Sequence, residues 1–177
     1  MFGAKEKMLI NTSKTQILTI SSSNYDCNSY LLDKSNDRID SGPELKMMGF
    51  YFSEKTTVQV HIEKLIRKAS KRIFVLLSFK KNGVPTDKLK SIYTSIIRSV
   101  VEYTSNTYHS QTTKGLSNQI ERLQKRALKI IYRYNLTYQE LLSKSGLETM
   151  SQRRNKLFEK FAKKKLQIIP NTSTGFL

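Results

Sequence analysis

The hydrophobic pattern of this chain changes its period once, near residue 57. Before that point short apolar runs alternate with polar residues, and after it apolar residues recur every three or four positions. A period of two is typical of strands and a period near 3.6 is typical of helices. The pattern therefore predicts a strand-and-loop region followed by a helical region.

Two segments of the front region resemble strands. Residues 14–20 alternate Ile17 with threonines, and residues 45–53 are rich in apolar and aromatic side chains. The polar stretch 21–43 between them contains a Ser-Gly-Pro turn signal. We interpret the two segments as an antiparallel β-hairpin joined by an exposed loop.

Four or five helices are predicted after residue 57. The first ends at the Gly83 and Pro85 signals, and Thr86 is expected to cap the second, whose apolar stripe continues to Thr104. The later helices are expected at about 116–134, 138–145 and 151–168. The fold class is therefore α+β, mainly α: an N-terminal antiparallel β-hairpin followed by a bundle of four or five helices.

The predicted organisation has three parts. Residues 1–56 form the hairpin region, residues 57–168 form a basic helical domain, and residues 169–177 form a flexible tail. No apolar run approaches the roughly 20 residues needed to cross a bilayer, so we expect no membrane contact. The single cysteine, Cys27, permits no intramolecular disulfide, which favours an intracellular location, cytoplasmic or nuclear.

The basicity of the chain is confined to the helical region. Residues 1–60 carry seven Lys or Arg and seven Asp or Glu, whereas residues 61–177 carry 24 against seven, which gives the net charge of +17. Cations recur on the polar sides of the first, third and last predicted helices. Such accumulation is typical of modules that contact a phosphate backbone. The side chains expected to do so are Lys68, Lys71, Arg72, Arg122, Lys125, Arg126, Lys129 and Arg133.

Signals of catalysis are absent from the sequence. His61 and His109 each stand alone, without other ligands at metal-binding spacing, and no Gly-rich phosphate loop occurs. Cys27 lacks a basic neighbour that would favour the thiolate. The loop aspartates do not have the spacing of a calcium loop, and a solvated turn is the simpler interpretation of Asp26, Asp33, Asp37 and Asp40. We therefore expect no catalytic residue, no metal site and no cofactor in this chain.

Several motifs occur in the order found in the reverse transcriptases of non-LTR, LINE-type or jockey-like, retrotransposons. Residues 11–15 resemble the Asn-x-x-Lys-Thr motif, and residues 45–50 resemble the primer-grip hairpin. Residues 68–76 and 93–103 are similar to two helical segments of that family. The most specific stretch is Glu-Arg-Leu-Gln-Lys-Arg-Ala at residues 121–127. The resemblance covers roughly residues 2–165, although Tyr108 stands where the family usually has Trp.

This resemblance implies the end of a polymerase palm, then the thumb and the helices after it. The thumb would hold an RNA or RNA·DNA duplex by its backbone, which adds Arg153 and Arg154 to the expected contacts, while Lys14 resembles a lysine near the incoming nucleotide. The family's catalytic aspartates, which bind magnesium, precede the Asn-x-x-Lys-Thr motif and do not occur in this chain. We therefore expect the isolated chain to lack the family's RNA-directed DNA polymerase activity.

Two other interpretations remain open. The basic helices could form an interaction module for an acidic protein partner. The stretch 61–101 also resembles the segment named after the N-terminal region of the AlkB homologue 8 tRNA-modifying proteins. It contains neither the His-x-Asp iron ligands of a dioxygenase nor a Gly-rich methyl-donor site, so we do not infer tRNA modification from it.

Overall fold

The computed structural model describes residues 11–20, 30–32, 38–55, 57–132 and 135–168, without the side chains of Thr12, Gln167 and Ile168. The expected tail at 169–177 lies outside this part of the chain, as do Cys27, Asp26, Asp33 and Asp37. The chain divides into two compact units, Met1–His61 and Ile62–Leu177. Within the described residues the fold is mainly helical with two small antiparallel hairpins, which confirms the predicted fold class.

Among its described residues the first unit contains two hairpins instead of the predicted one. Strand β1 (Tyr30–Leu32) pairs with β2 (Arg38–Asp40), and β3 (Glu44–Met47) pairs with β4 (Phe50–Ser53). The predicted partner at 14–20 is not a strand; it follows a short 3-10 turn at Thr12–Lys14 and forms one isolated bridge, from Ile17 to Ser41. The predicted pairing of 14–20 with 45–53 is therefore wrong.

The physical reason is a turn inside the second predicted strand. Met48 and Gly49 connect β3 to β4 and both have positive φ, at 49° and 82°. Two consecutive positive φ angles are the feature of a type I′ turn, whose twist suits a two-residue hairpin. The apolar segment 45–53 therefore folds back on itself and needs no strand from 14–20.

The helical unit follows the predicted order closely. Its helices are α1 (Gln59–Lys81), α2 (Thr86–Ile92), α3 (Ser99–Glu102), α4 (Ser105–Tyr108), α5 (Lys114–Ile131), α6 (Tyr138–Ser145) and α7 (Met150–Ile168). A π-helical segment, Tyr93–Arg98, joins α2 to α3 without a break, so six separate helices occur in the described residues. The one-turn helix α4 was not predicted.

Local sequence signals explain most of the helix ends. Gly83 and Gly146 adopt the positive φ that follows a helix, as their position predicts. Thr137 and Glu140 form a complete capping box at the start of α6. The expected cap at Thr86 is wrong by one residue, since Pro85 precedes the helix and Thr86 is its first residue, with no side-chain cap. Proline is compatible with this boundary because it cannot donate the backbone hydrogen bond of a helix interior.

Helix α5 is the central element of the second unit. It packs against α2, α6 and α7, and α4 packs against α7. The face of α5 that meets them is fully or nearly fully buried and consists of Leu116, Ile120, Leu123, Gln124, Ala127, Leu128, Ile130 and Ile131. Burial of this one-sided apolar stripe fixes which side of the helix remains in solvent.

Candidate nucleic-acid interface

The solvent side of α5 is cationic. Thr113 caps the helix by accepting a hydrogen bond from the Leu116 backbone N–H, at 3.3 Å. Arg122, Lys125 and Arg126 are exposed and Lys129 is half-buried. Among the described residues none of these four makes an ion pair with Asp or Glu.

The only acid of α5 points away from that surface. The Glu121 carboxylate accepts a hydrogen bond from the Tyr138 hydroxyl at 2.5 Å and another from the Ser151 backbone N–H at 2.9 Å. Burial and this carboxylate raise the pKa of Tyr138 well above its usual range. Glu121 is thus occupied by α6 and the start of α7, and does not neutralise the cations of α5. We call Arg122, Lys125, Arg126 and Lys129 the α5 basic face.

Helix α1 presents a second group of cations. Lys68 and Lys71 are exposed and have no ion pair among the described residues. Arg72 is half-buried, and its Nη1 donates a 2.5 Å hydrogen bond to the carbonyl of Ile96, in the π segment. A π segment interrupts the regular hydrogen-bond ladder of a helix, so a carbonyl there is available to a side-chain donor. Arg72 therefore ties α1 to this segment.

Two of the expected contacts have other partners. The Arg153 Nε lies 3.1 Å from Glu102 Oε1, and its Nη1 lies 3.9 Å from Glu148. Arg154 is only 4% exposed and donates from Nη2 to the Ser117 hydroxyl at 2.8 Å. The adjacency of the two arginines in sequence puts them on different sides of α7, one in an ion pair and one in the interior. We remove both from the expected phosphate contacts.

Two expected contacts remain, Arg133 and Lys14. Arg133 is outside the described residues. Lys14 is exposed at the end of the 3-10 turn of the first unit, where its N–H donates to the Asn11 carbonyl at 3.1 Å. The Thr15 hydroxyl donates to the same carbonyl at 3.0 Å, so this motif forms a compact local turn.

The sequence predicted cations on the last helix, but the lysines of α7 were not among the expected phosphate contacts. Lys160, Lys163 and Lys164 are exposed and have no ion pair among the described residues, whereas Lys156 lies 2.5 Å from the Glu148 carboxylate. Their spacing of three and four residues brings them to one side of the helix. The spacing of these lysines in the sequence was the signal that could have identified them. They add basic side chains on α7 to those on α1 and α5.

The remaining polar groups support packing. His61 is fully buried in the first unit, and His109 stacks on Phe158 with ring centroids 4.7 Å apart. No group of three His, Cys, Asp or Glu side chains that could hold a metal occurs among the described residues. A polar cleft of about 530 Å³ beside the π segment is lined by paired charges, namely Arg98, Glu102, Glu148, Arg153 and Lys156.

No helix in the described ranges combines the length and apolar character required to cross a bilayer. No family model, no curated protein and no solved structure matches the chain. The resemblance to reverse transcriptases therefore rests on the motif residues of the sequence, and its functional meaning is a proposal.

Proposed function

We propose that the chain is part of an RNA-directed DNA polymerase of the non-LTR retrotransposon type. In this proposal the helical unit holds the backbone of an RNA or RNA·DNA duplex, as the thumb does in that family. The chain itself has no catalytic role, since the aspartates that bind magnesium in the family do not occur in its sequence.

The observation that supports this proposal most strongly is the α5 basic face. Three exposed cations and one half-buried cation lie on a helix whose opposite side is buried, so the packing of the core sets their positions. Their charges are not neutralised by carboxylates of the described residues, because Glu121 binds Tyr138 and Ser151 instead. Basic side chains held in this way contact phosphates without reading bases.

Salt dependence of binding tests the proposal directly. If about four to six cations contact phosphates, log K should fall against log salt with a slope of roughly −3 to −5. The Lys125→Ala, Arg126→Ala, Lys129→Ala triple variant should keep its fold, because the apolar stripe is unchanged, and should reduce the steepness by about two to three units. The measurement is fluorescence anisotropy with RNA duplexes of unrelated sequence, which should lose affinity equally.

A matched control separates local contacts from overall charge. The triple variant Lys81→Ala, Lys88→Ala, Lys144→Ala removes the same charge from exposed positions outside the α5 basic face. It should leave the slope close to that of the wild type. An equal change in both triple variants, or wild-type binding that ignores salt, would contradict a specific α5 contact.

A further inference from the structure

The outward face of α1 combines cations with an exposed phenyl ring. Arg67, Lys71 and Phe74 follow at helical spacings of four and three residues, and Lys68 lies three residues before Lys71. Phe74 is 74% exposed, whereas Leu65, Ala69, Ile73 and Leu76 on the opposite face form the core. The ring is therefore not a packing residue of the helical unit.

The cations around this ring are available for a ligand. Arg67, Lys68 and Lys71 are exposed and make no ion pair with the described carboxylates. With a rise of 1.5 Å per residue, Lys71 and Arg67 lie about 4.5 Å and about 10.5 Å from Phe74 along the helix axis. At about 3.4 Å per stacked nucleotide, the distance of about 10.5 Å from Phe74 to Arg67 is the length of about three nucleotides.

We propose that this face of α1 binds an unpaired segment of RNA or DNA. One base stacks on the Phe74 ring, and the adjacent phosphates contact Lys71, Lys68 and Arg67. This proposal rests on the proposed function and adds to it a second kind of ligand: α5 holds paired strands, and α1 holds the single strand that continues from them.

The surroundings of Phe74 favour a single strand over other occupants. Bases inside a duplex are stacked on each other and offer no free face to a side chain. Proteins that bind single strands combine a basic surface with aromatic rings on which bases stack, which is the combination found here. The centre of a protein–protein interface is depleted of charged residues, whereas Lys71 lies three residues from Phe74 and Arg67 follows on the same side of the helix.

The experiment compares two probes and two matched aromatic residues. The probes are an oligoadenylate of about 12 nucleotides and an RNA duplex, both followed by anisotropy. Phe74→Ala should weaken oligoadenylate binding about 10-fold and duplex binding less than about 2-fold, while Phe74→Tyr should bind as the wild type does. Tyr103 is the control, since it is 73% exposed and has no Lys or Arg within four residues on either side. Tyr103→Ala should change neither affinity.

The outcomes distinguish this proposal from the proposed function. Unchanged oligoadenylate affinity in Phe74→Ala overturns the α1 site alone, provided that the wild type binds duplex through α5. Wild-type affinity in Phe74→Leu also overturns it, since an apolar side chain without a ring would then suffice, as in a protein-docking surface. A wild type that binds neither probe refutes the proposed function together with this site.

Discussion

The hydroxyl of Tyr93 donates a 2.8 Å hydrogen bond to Oε1 of Gln124 in the interior of the helical unit. Gln124 is fully buried, and its Nε2 donates to the Tyr138 hydroxyl at 3.0 Å and to the Glu148 carbonyl at 2.9 Å. The amide thus joins the π segment, α5, α6 and the loop before α7. Burial raises the pKa of Tyr93 far above its usual range, so its hydroxyl stays protonated as a donor.

Replacing Gln124 with leucine should destabilise the helical unit strongly. The variant leaves the Tyr93 hydroxyl and the Glu148 carbonyl without their partner in the interior, at a cost of about 2–4 kcal/mol in the free energy of unfolding. Tyr93→Phe leaves only Gln124 Oε1 without its donor and should cost about 1–2 kcal/mol. Urea denaturation followed by circular dichroism measures both, and equal stability of Gln124→Leu and wild type would show that the network is dispensable.

The burial of Gln124 could not be predicted from the sequence. The helical period of the sequence predicts α5, and the buried apolar residues from Leu116 to Ile131 form one stripe along it. A glutamine at the edge of that stripe fits the sequence pattern equally well whether its side chain is buried or exposed to solvent. Its burial depends on Tyr93, Tyr138 and Glu148, which come from three other parts of the chain.

The candidate site was also predictable only in part from the sequence. The cations of α5 face solvent because the opposite stripe is buried, and the sequence pattern contains that information. Arg153 and Arg154 could not be assigned in this way, because their partners Glu102 and Ser117 are 51 and 37 residues distant in sequence. The strand pairing of the first unit failed for a related reason, since one turn at Met48 redirected the chain.

Met48 offers a test of that turn. It is 88% exposed and has φ of 49°, a conformation that costs most side chains free energy but suits asparagine. Met48→Asn should therefore raise the free energy of unfolding by about 1 kcal/mol. Met47→Asn is the matched control, because Met47 is an exposed strand residue, where asparagine is unfavourable. Thermal denaturation should show a gain for Met48→Asn only, and a loss there would argue against the turn.

His61 should make stability depend on pH. Its Nδ1 accepts a hydrogen bond from the Tyr51 backbone N–H at 3.3 Å, and its ring stacks on Phe50 with centroids 4.0 Å apart. Burial lowers the pKa of His61 to about 4 from its usual 6.5. The unfolded chain therefore binds more protons than the folded chain between these two values. The contribution of His61 to the free energy of unfolding should be constant above about pH 6.5. It should fall by about 3 kcal/mol as the pH decreases to 4, and change little at lower pH.

The His61→Asn variant isolates this contribution. Asparagine retains an oxygen acceptor near the position of Nδ1 but does not titrate. Carboxylates also titrate between pH 4 and 6.5, so the quantity to compare is the difference in unfolding free energy between wild type and variant at each pH. That difference should shift in favour of the variant as the pH falls. A constant difference across the range would mean that His61 is not held neutral by the fold.

Glu102 forms ion pairs with two arginines, Arg98 and Arg153. Glu102 accepts from Arg98 Nε at 2.5 Å and from Arg153 Nε at 3.1 Å, and the Arg98 side chain is only 7% exposed. Glu102→Gln leaves the Arg98 charge buried without its counter-charge and should cost about 3–5 kcal/mol. Arg153→Ala removes a partner that is 38% exposed and should cost only about 0.2–1 kcal/mol.

The same arginine separates ion pairing from phosphate contact. Because Glu102 and Glu148 hold Arg153, the Arg153→Ala variant should leave the salt slope of duplex binding nearly unchanged. Lys125→Ala, which removes one cation of the α5 basic face, should make the slope shallower by about one unit. Both variants retain the buried stripe of α5, so a difference between them reflects contact and not folding. An equal slope change in the two would return Arg153 to the set of residues that reach the nucleic acid.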